Sequence, residues 1–283
     1  MSDLEYYNYE EDWKKRFEVT IPILLLVLVL LVLAWKLGWL CGIPVVGAKL
    51  CGGEVINVLI IGNDPDVAQM LDQMKVEEPI SYEIFTLEDM KNLRDPSYLD
   101  KYDLFILTEK VYEDHPSYLP SLFRNYLAQR LSNNGKLIVI GIAGSRDPEE
   151  PASNGWKAGL DKFIPVTCTT GLCDESNSKD VHATSIVDLK INDINHPMLK
   201  EFGMTASISE GASIQYSLVN VDNEGKVLVT LEVQAGAETL AYPAIVEGTH
   251  GLTGKTIYFA YHPARTPRIF KNAVDYLMGR LNG

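Results

Sequence analysis

The chain has 283 residues, in which 38 Asp and Glu outnumber 25 Lys and Arg, giving a formal net charge of -13 at pH 7. This charge disfavours binding to a nucleic-acid backbone, so we expect no nucleic-acid partner. Hydrophobic residues make up 46% of the sequence, and the length beyond the apolar N-terminal segment is enough for one large domain or two small ones.

The N-terminal segment, residues 1–18, begins acidic and tyrosine-rich (LEYYNYEEDW) and ends basic. A segment this short cannot bury a hydrophobic core of its own. We interpret it as a cytoplasmic tail, for which two roles stay open: a solvated flank, or a docking site for a protein partner.

Residues 19–41 form the most apolar stretch, and residues 19–35 (VTIPILLLVLVLLVLAW) carry no charge. A bilayer core about 30 Å thick requires roughly 20 mostly apolar residues as a helix, because lipid cannot satisfy backbone groups. A buried core helix is the alternative, but this run is apolar on every face. A cleaved signal peptide fits less well, because the run is too long and no small-x-small cleavage site follows it. The stretch predicts one transmembrane helix.

Basic residues set the predicted orientation of that helix. Lys14, Lys15 and Arg16 lie just before it, whereas Lys49 is the one nearby basic residue after the apolar run. Since positive charge is retained on the cytoplasmic side, the N-terminus is predicted inside. A Gly- and Pro-containing linker, residues 42–53, then leads to an extracytoplasmic domain, residues 54–283. The expected location is the cell membrane, with the lipid bilayer as a partner.

A regular alternation of strands and helices begins at residues 55–62 (VINVLIIG). A continuous apolar run ending in Gly is typical of a parallel strand buried on both faces. Further strands are predicted over residues 82–87, 103–108 and 136–142. Asp64 and Pro65 open a helix whose inward face carries Val67, Met70, Leu71 and Met74. A second helix, over residues 120–131, directs inward Leu122, Phe123, Tyr126, Leu127 and Leu131.

The second half has strands with few helices between them, which predicts an antiparallel extension. These strands are expected over residues 182–191, 213–221, 226–233, 242–247 and 255–261. The last helix has Thr266 as its N-cap and Pro267 as its first residue. Its buried stripe is predicted to be Phe270, Ala273, Val274, Leu277, Met278 and Leu281.

The chain has four cysteines, an even number that permits two disulfides outside the cytoplasm. Cys168 and Cys173 flank the short segment TTGL, and we predict a bridge between them. Cys41 and Cys51 stay open between a second bridge, free thiols, and lipidation of Cys41 beside the bilayer.

The strands VLIIG and GKLIVIGIAGS, the antiparallel insertion and the ending GKTIYFAYHPARTPRIFKNAVDYLMGRL together resemble the class I glutamine amidotransferase-like superfamily. Within it, the sequence is similar to the divergent branch of trehalose-utilisation-type proteins. The resemblance covers about residues 55–283. It implies a doubly wound, flavodoxin-like α/β domain with an antiparallel β extension.

In active members of that family, a Cys at a strand-to-helix elbow (G-x-C-x-G) attacks an amide carbonyl, and a His in a His-Pro-Glu motif acts as base. Here the elbow is GIAGS, residues 141–145, so Ala143 stands at the position of the nucleophile. The late strand has His262 followed by Pro263 and Ala264, so Ala264 replaces the Glu that orients the base. The resemblance therefore implies a domain that lacks amidotransferase activity and has no carboxylate behind His262.

A different nucleophile is the alternative. Ser145 lies two residues past Ala143, and a Ser145/His262 pair with Asp147 or Glu149 as third member would make a hydrolase. The competing interpretation is that Ser145 and Asp147 are turn residues and His262 caps a strand.

Ligands of parallel sheets bind outside the carboxyl ends of the strands. The candidates for a ligand pocket there are Asn63, Glu109, Ala143, Gly144, Ser145 and His262. The histidines lack metal-ligand spacing and no dinucleotide fingerprint follows the first strand, so we expect neither a metal nor a cofactor. Two hypotheses follow: a membrane-tethered, non-catalytic binding, scaffolding or sensing module, or an extracytoplasmic hydrolase.

Overall fold

The computed structural model describes Pro22, Leu25, Val29 and residues 55–108, 119–145, 155–156, 159–169, 173, 178–181, 187–207, 214–222, 224–235 and 237–281. The chain divides into two units, Met1–Val55 and Ile56–Gly283. In the first unit, the three described residues of the apolar stretch are helical and exposed. The rest of the predicted transmembrane segment lies outside the described residues. Within the residues that are described, no helix is both long and apolar enough to cross a bilayer.

The second unit contains both strands and helices. The strands are β1 (Ile56–Ile61), β2 (Ile80–Phe85), β3 (Leu104–Leu107), β4 (Lys136–Ile140), β5 (Val166–Cys168), β6 (Ser178–Val181), β7 (Val187–Ile191), β8 (Thr205–Ser207), β9 (Ile214–Ser217), β10 (Val219–Val221), β11 (Lys226–Ala235), β12 (Glu238–His250) and β13 (Gly254–Phe259). The α-helices are α1 (Pro65–Met74), α2 (Leu87–Asn92), α3 (Ser121–Ser132) and α4 (Pro267–Leu277), with 3₁₀ turns at Pro96–Lys101 and Pro263–Arg265.

A mixed nine-stranded sheet organises this unit, with the order β2-β1-β3-β4-β13-β12-β11-β7-β8. The strands from β2 to β13 are parallel, and those from β13 to β8 pair antiparallel. With β13 as the fifth parallel strand, the parallel part has the strand order of flavodoxin-like sheets. The prediction of an α/β sheet with an antiparallel extension is confirmed.

Two hydrophobic cores lie on opposite faces of the sheet because successive side chains of a strand alternate. In β1, Val58 and Ile60 pack in the core with α1 and α4, whereas Leu59 and Ile61 pack in the core with α3. All four side chains are fully buried. This two-sided burial explains why β1 is a continuous apolar run rather than an alternating one.

Helix α1 begins as its sequence predicts. Asp64 is the N-cap, and Pro65 follows in the first turn, where a missing N–H costs no hydrogen bond. The predicted inward face is confirmed: the buried residues are Val67, Met70, Leu71 and Met74.

Helix α3 differs from its prediction in one respect. Phe123, Leu127 and Leu131 are buried as expected, but Leu122 is 43% exposed and Arg124 takes an inward position. The Arg124 guanidinium donates to the carbonyl of Leu119 at 3.2 Å, which satisfies one of its N–H donors inside the core. The prediction for Leu122 was wrong because it assigned every large apolar residue of the segment to the inward face. The buried face begins one residue later, at Phe123.

Helix α4 begins at Pro267, but the side chain of Thr266 does not cap it. The Thr266 hydroxyl instead forms a 2.8 Å hydrogen bond with the hydroxyl of Tyr261. Within the described chain, Cys168 and Cys173 form a disulfide with their Cα atoms 5.4 Å apart, which confirms that prediction. Cys41 and Cys51 lie outside the described residues.

Candidate functional site

The candidate site lies at the carboxyl edge, by which we mean the edge of the sheet where β1, β3, β4 and β13 end. Gly62, Asn63 and Asp64 follow β1, residues 141–145 follow β4, and His262 follows β13 shortly after its last residue. Gly62 has φ 119, a conformation that favours glycine, and it turns the chain from β1 toward α1. Glu109, which follows β3, lies outside the described residues, as do Asp147 and Glu149.

His262 and Asp64 meet at this edge. The His262 Nε2 atom lies 2.9 Å from Asp64 Oδ2, and the Asp64 side chain is fully buried while that of His262 is 25% exposed. The other oxygen, Asp64 Oδ1, accepts from the backbone N–H groups of Asp66 at 3.1 Å and Val67 at 3.3 Å. One carboxylate therefore caps α1 and also binds the imidazole.

The second nitrogen of His262 is engaged as well. Its Nδ1 accepts from the backbone N–H of Ala264 at 3.3 Å, so the ring proton belongs on Nε2, facing Asp64. The expectation that His262 has no carboxylate behind it was wrong. Asp64 binds His262 instead of the Glu that Ala264 replaces. In this arrangement, both ring nitrogens are occupied, and His262 has no lone pair left to act as a general base.

Ala143 is fully buried in the core on the α3 side. Its carbonyl oxygen accepts from the indole Nε1 of Trp156 at 2.7 Å. The turn that contains it begins with Gly141 (φ 57), whose N–H donates to the carbonyl of Phe259 at the end of β13. The Ala143 side chain is therefore packed in a core, and the indole of Trp156 holds the backbone of the elbow.

Ser145 is also fully buried, and its hydroxyl has no hydrogen-bond partner within the described part of the chain. Gly144 lies beside it with φ 71, and an added Cβ would come within 3.2 Å of Leu107. The hydroxyl of Ser145 is not hydrogen-bonded to His262, whose two ring nitrogens bind Asp64 and Ala264. The structure thus pairs His262 with Asp64 and leaves Ser145 separate.

The predicted pocket residues therefore fall into two groups. Asn63 is exposed and His262 is partly exposed, so both can reach a ligand from the carboxyl edge. Ala143, Gly144 and Ser145 are buried in this conformation.

A group of possible metal ligands is present at the same place. Donor atoms of Asp64, Asp66 and His262 all lie within 4.8 Å of one another. Both nitrogens of His262 already form hydrogen bonds, so a cation could bind His262 only by displacing Asp64 or the N–H of Ala264. Binding would also place positive charge at the N-terminus of α1, where the helix dipole is unfavourable for it. The absence of a metal stays a prediction.

A second cluster of polar groups lies in the other half of the sheet. Tyr276 donates to Glu247 at 2.5 Å, Lys255 donates to Tyr276 at 2.5 Å, and His196 Nε2 approaches Glu247 at 3.4 Å. Burial alone raises the pKa of Glu247, but the contacts with His196, Tyr276 and Lys255 outweigh it and hold the pKa below its ordinary range. This cluster joins β12, β13 and α4, and we assign it to stability.

Asp64 and Trp156 are the site residues that the sequence did not reveal as such. The sequence predicts Asp64 only as the residue that opens a helix, but its position in the short connection after a buried parallel strand is a usable signal. Trp156 lies in an irregular segment, where no periodicity indicates the partner of its indole.

No protein-family model matches the chain, and no curated protein is significantly similar to it. Solved structures do match. The cytoplasmic protein STM3548 from Salmonella typhimurium is 11% identical, with a TM-score of 0.53, and the match covers 79% of this chain and 98% of that one. A β-galactosidase from Rahnella sp. R3 is 13% identical, with a TM-score of 0.53, covering 83% of this chain and 33% of the enzyme.

A putative GMP synthase protein from Thermoplasma acidophilum also matches, over 80% of this chain and 96% of that one. Its identity is 8% and its TM-score is 0.41, so this likeness supports no conclusion. At such identities, the solved structures show the fold alone. The matches with TM-scores of 0.53 show that the chain has a mixed α/β fold.

Proposed function

We propose that the chain is a membrane-tethered, non-catalytic domain of the amidotransferase-like kind, which binds a partner or ligand at the outer face of the membrane. The proposal includes scaffolding and sensing roles. In each of these roles, the partner or ligand binds at the carboxyl edge. Asn63 and His262 are the two predicted pocket residues that are accessible there.

One observation carries the non-catalytic part of this proposal. Ala143 stands where the nucleophile would stand, and it is fully buried with its carbonyl held by Trp156. A methyl group cannot attack a carbonyl, and the oxyanion of a tetrahedral intermediate could not be held at a position that is closed to substrate. The engagement of both His262 nitrogens supports the same conclusion, because a general base needs a free lone pair.

Restoring the thiol tests this proposal. In a background with Cys41→Ser and Cys51→Ser, Ala143→Cys should resist a water-soluble maleimide in the folded state and react with it after denaturation. Leu240→Cys, at a side chain on β12 that is 40% exposed, is the matched control and should react in both states. Neither the wild type nor Ala143→Cys should release ammonia from glutamine. Glutaminase activity of Ala143→Cys that is lost on adding His262→Ala would overturn the proposal.

The hydrolase is the weaker candidate because Ser145 and His262 are not hydrogen-bonded to each other in this structure. Its test is ester and amide turnover by the full chain. Turnover that Ser145→Ala and His262→Ala each abolish, with Met204→Ala at a 74% exposed position outside the pocket as the control that keeps it, would replace the binding module by the hydrolase.

The tether rests on the sequence of residues 19–41 and on Lys14, Lys15 and Arg16 before them. We propose the N-terminus inside and the domain outside. Protease added to intact cells or spheroplasts should digest the domain and leave the tail protected. Protection of the domain with loss of the tail would reverse the orientation.

A further inference from the structure

The opposite edge of the sheet, where the parallel strands begin, has its own surface character. We call it the amino edge: the starts of β1, β2, β3, β4 and β13 with the turns that lead into them. Two of these turns carry the most exposed large hydrophobic side chains in the described part of the chain. Leu252 is 94% exposed in the turn before β13, and Val76 is 87% exposed in the turn before β2.

The backbone beside Leu252 is held firmly. The N–H groups of Leu252 and Thr253 both donate to the side-chain oxygen of Asn134, at 3.1 and 3.2 Å. Asn134 itself has φ 63 and lies in the connection between α3 and β4. The turn is therefore fixed by a neighbouring connection while its leucine points away from the core, which gives a preformed apolar tip.

Val76 has a similar setting. It follows the last turn of α1, and the backbone N–H groups of Val76 and Glu77 donate to carbonyls of that helix. The charged residues around Val76 are paired within the domain: Lys75 with Asp72 at 3.0 Å, and Lys271 with Glu77 at 3.6 Å and with Glu78 at 3.0 Å. Because these carboxylates outnumber the two lysines, the tip offers no excess positive charge to attract an anionic surface.

The two tips flank the place where the chain enters the domain. β2 lies directly beside β1, and β13 lies three strands away on the other side. At about 4.8 Å between strands, the two tips are separated by roughly 20 Å along the amino edge. The linker, residues 42–53, reaches β1 at this edge, and when fully extended it spans no more than about 40 Å. A tether attached here would join the domain at the amino edge.

We propose that the amino edge faces the bilayer and that Leu252 and Val76 insert into the lipid interface. This inference rests on the tether of the proposed function. Separate apolar tips on rigid turns suit the interfacial region of a membrane, where each side chain enters the headgroup layer on its own. The fully buried core of a protein interface is instead a more apolar patch, which two tips roughly 20 Å apart do not form. The lipid chemistry that fits is a zwitterionic interface, because the ion pairs beside Val76 leave no excess positive charge for anionic lipids.

The strand β12 supplies a matched pair of leucines for the test. Leu252 follows its end at the amino edge, and Leu240, which is 40% exposed, lies near its start at the opposite end. Full-length protein with Cys41→Ser and Cys51→Ser carries either Leu252→Cys or Leu240→Cys, labelled with an environment-sensitive fluorophore. Each is reconstituted into phosphatidylcholine vesicles with and without doxyl-labelled phosphatidylcholine as a quencher.

We expect the label at position 252 to lose about half of its emission to the lipid quencher, since interfacial groups lie about 5–10 Å deep. The label at position 240 should keep its emission. Val76→Cys should behave as Leu252→Cys does. The quenching should persist at about 1 M salt, where the Debye length is about 3 Å, because an apolar insertion does not depend on electrostatic attraction.

Flotation of the same samples after an alkaline carbonate wash separates the two claims. Protein that floats with the vesicles but shows equal quenching at positions 252 and 240 overturns the inference and leaves the tether intact. Protein that does not float overturns the tether, and with it the orientation of the amino edge. Quenching at position 252 that disappears in high salt contradicts the apolar insertion.

Discussion

The Nε2 atom of His262 lies 2.9 Å from Oδ2 of Asp64, although the two residues are 198 positions apart in the chain. This contact ties the connection between β13 and α4 to the start of α1, so the two helices on one face of the sheet are joined at their N-terminal ends. The same carboxylate caps α1, which couples the local stability of the helix to a long-range hydrogen bond.

Asp64→Ala removes both the cap and the partner of His262, and we expect it to lower the free energy of unfolding by about 1–3 kcal/mol. Asp64→Asn is the matched variant, because asparagine caps a helix about as well as aspartate. It should lose less than Asp64→Ala. A double-mutant cycle with His262→Ala, followed by urea denaturation, measures the contact itself. A coupling energy of zero in that cycle would show that the contact contributes nothing.

Ser145→Ala should leave the free energy of unfolding unchanged or raise it slightly. The hydroxyl of Ser145 is buried without a hydrogen-bond partner among the described residues, and a polar group in that state costs free energy. Ser145→Val is a control for volume, since it adds a methyl group to a closed position and should destabilise the fold by about 1–3 kcal/mol. A loss above about 1 kcal/mol in Ser145→Ala would reveal a hydrogen bond that the hydroxyl makes.

The Glu247 cluster predicts a pH-dependent contribution. The pKa of Glu247 lies below its ordinary value of 4.5 because its contacts with His196, Tyr276 and Lys255 outweigh the effect of burial. Its contribution to stability is therefore fully present above pH 4.5 and is lost as the pH falls through the lower pKa of the folded state. Glu247→Gln should reduce the free energy of unfolding by about 1–3 kcal/mol at pH 7.

The difference between wild type and Glu247→Gln should shrink as the pH is lowered below 4.5, in urea melts recorded at each pH. Glu232→Gln is the control, because Glu232 is partly exposed and pairs with Lys190 at 3.3 Å across neighbouring strands. Such a surface pair contributes at most about 1 kcal/mol. A difference for Glu247→Gln that stays constant from pH 7 to below 4.5 would contradict the shifted pKa.

The disulfide closes a short loop, with a sequence separation of 5. A loop of this size gives about 2 kcal/mol of stabilisation in the chain-entropy treatment. The double variant Cys168→Ser/Cys173→Ser should therefore unfold with a free energy lower by about 2 kcal/mol. Reductant should destabilise the wild type by a similar amount and leave the double variant unaffected. Equal responses to reductant would assign the effect to other cysteines.

The parallel half of the fold could be predicted from the sequence because its signals are local. Burial on both faces produces apolar runs such as β1, and the helix between two such strands shows its inward face by spacing, as α1 does. The predicted start of β2 was less accurate. The strand begins at Ile80, two residues before the predicted start, because Pro79 next to it is a residue that usually indicates a turn rather than a strand.

The antiparallel half depended on partners that a local pattern does not contain. The single strand predicted over residues 213–221 is two strands, β9 and β10, which pair with β6 and β5 in separate sheets. β12 begins at Glu238, whereas the prediction began at residue 242, next to Pro243. Pro243 pairs with Thr230 directly beside an irregularity in the β11–β12 ladder, and such a site accepts a residue that has no N–H to donate.

The sequence predicted at which edge of the sheet the candidate residues lie, but not which of them pair. The carboxyl edge follows from the parallel strands, and His262 does lie there. Its partner is a residue on another strand end, and the order of the strands across the sheet, which no periodicity reports, decides which ends approach each other.

The position of β13 has a consequence for biogenesis. This strand completes the parallel sheet by pairing Lys255 with Lys136 of β4, so the strand neighbours are separated by 255 − 136 = 119 residues. While the chain emerges from the ribosome, β4 therefore exposes an unpaired, apolar edge until almost the whole sequence has been made. A closure that spans so much chain is slow, because the entropy of a long loop is lost before its contacts form. The domain should consequently depend on chaperone protection during synthesis, and a chain that ends before β13 should aggregate rather than fold.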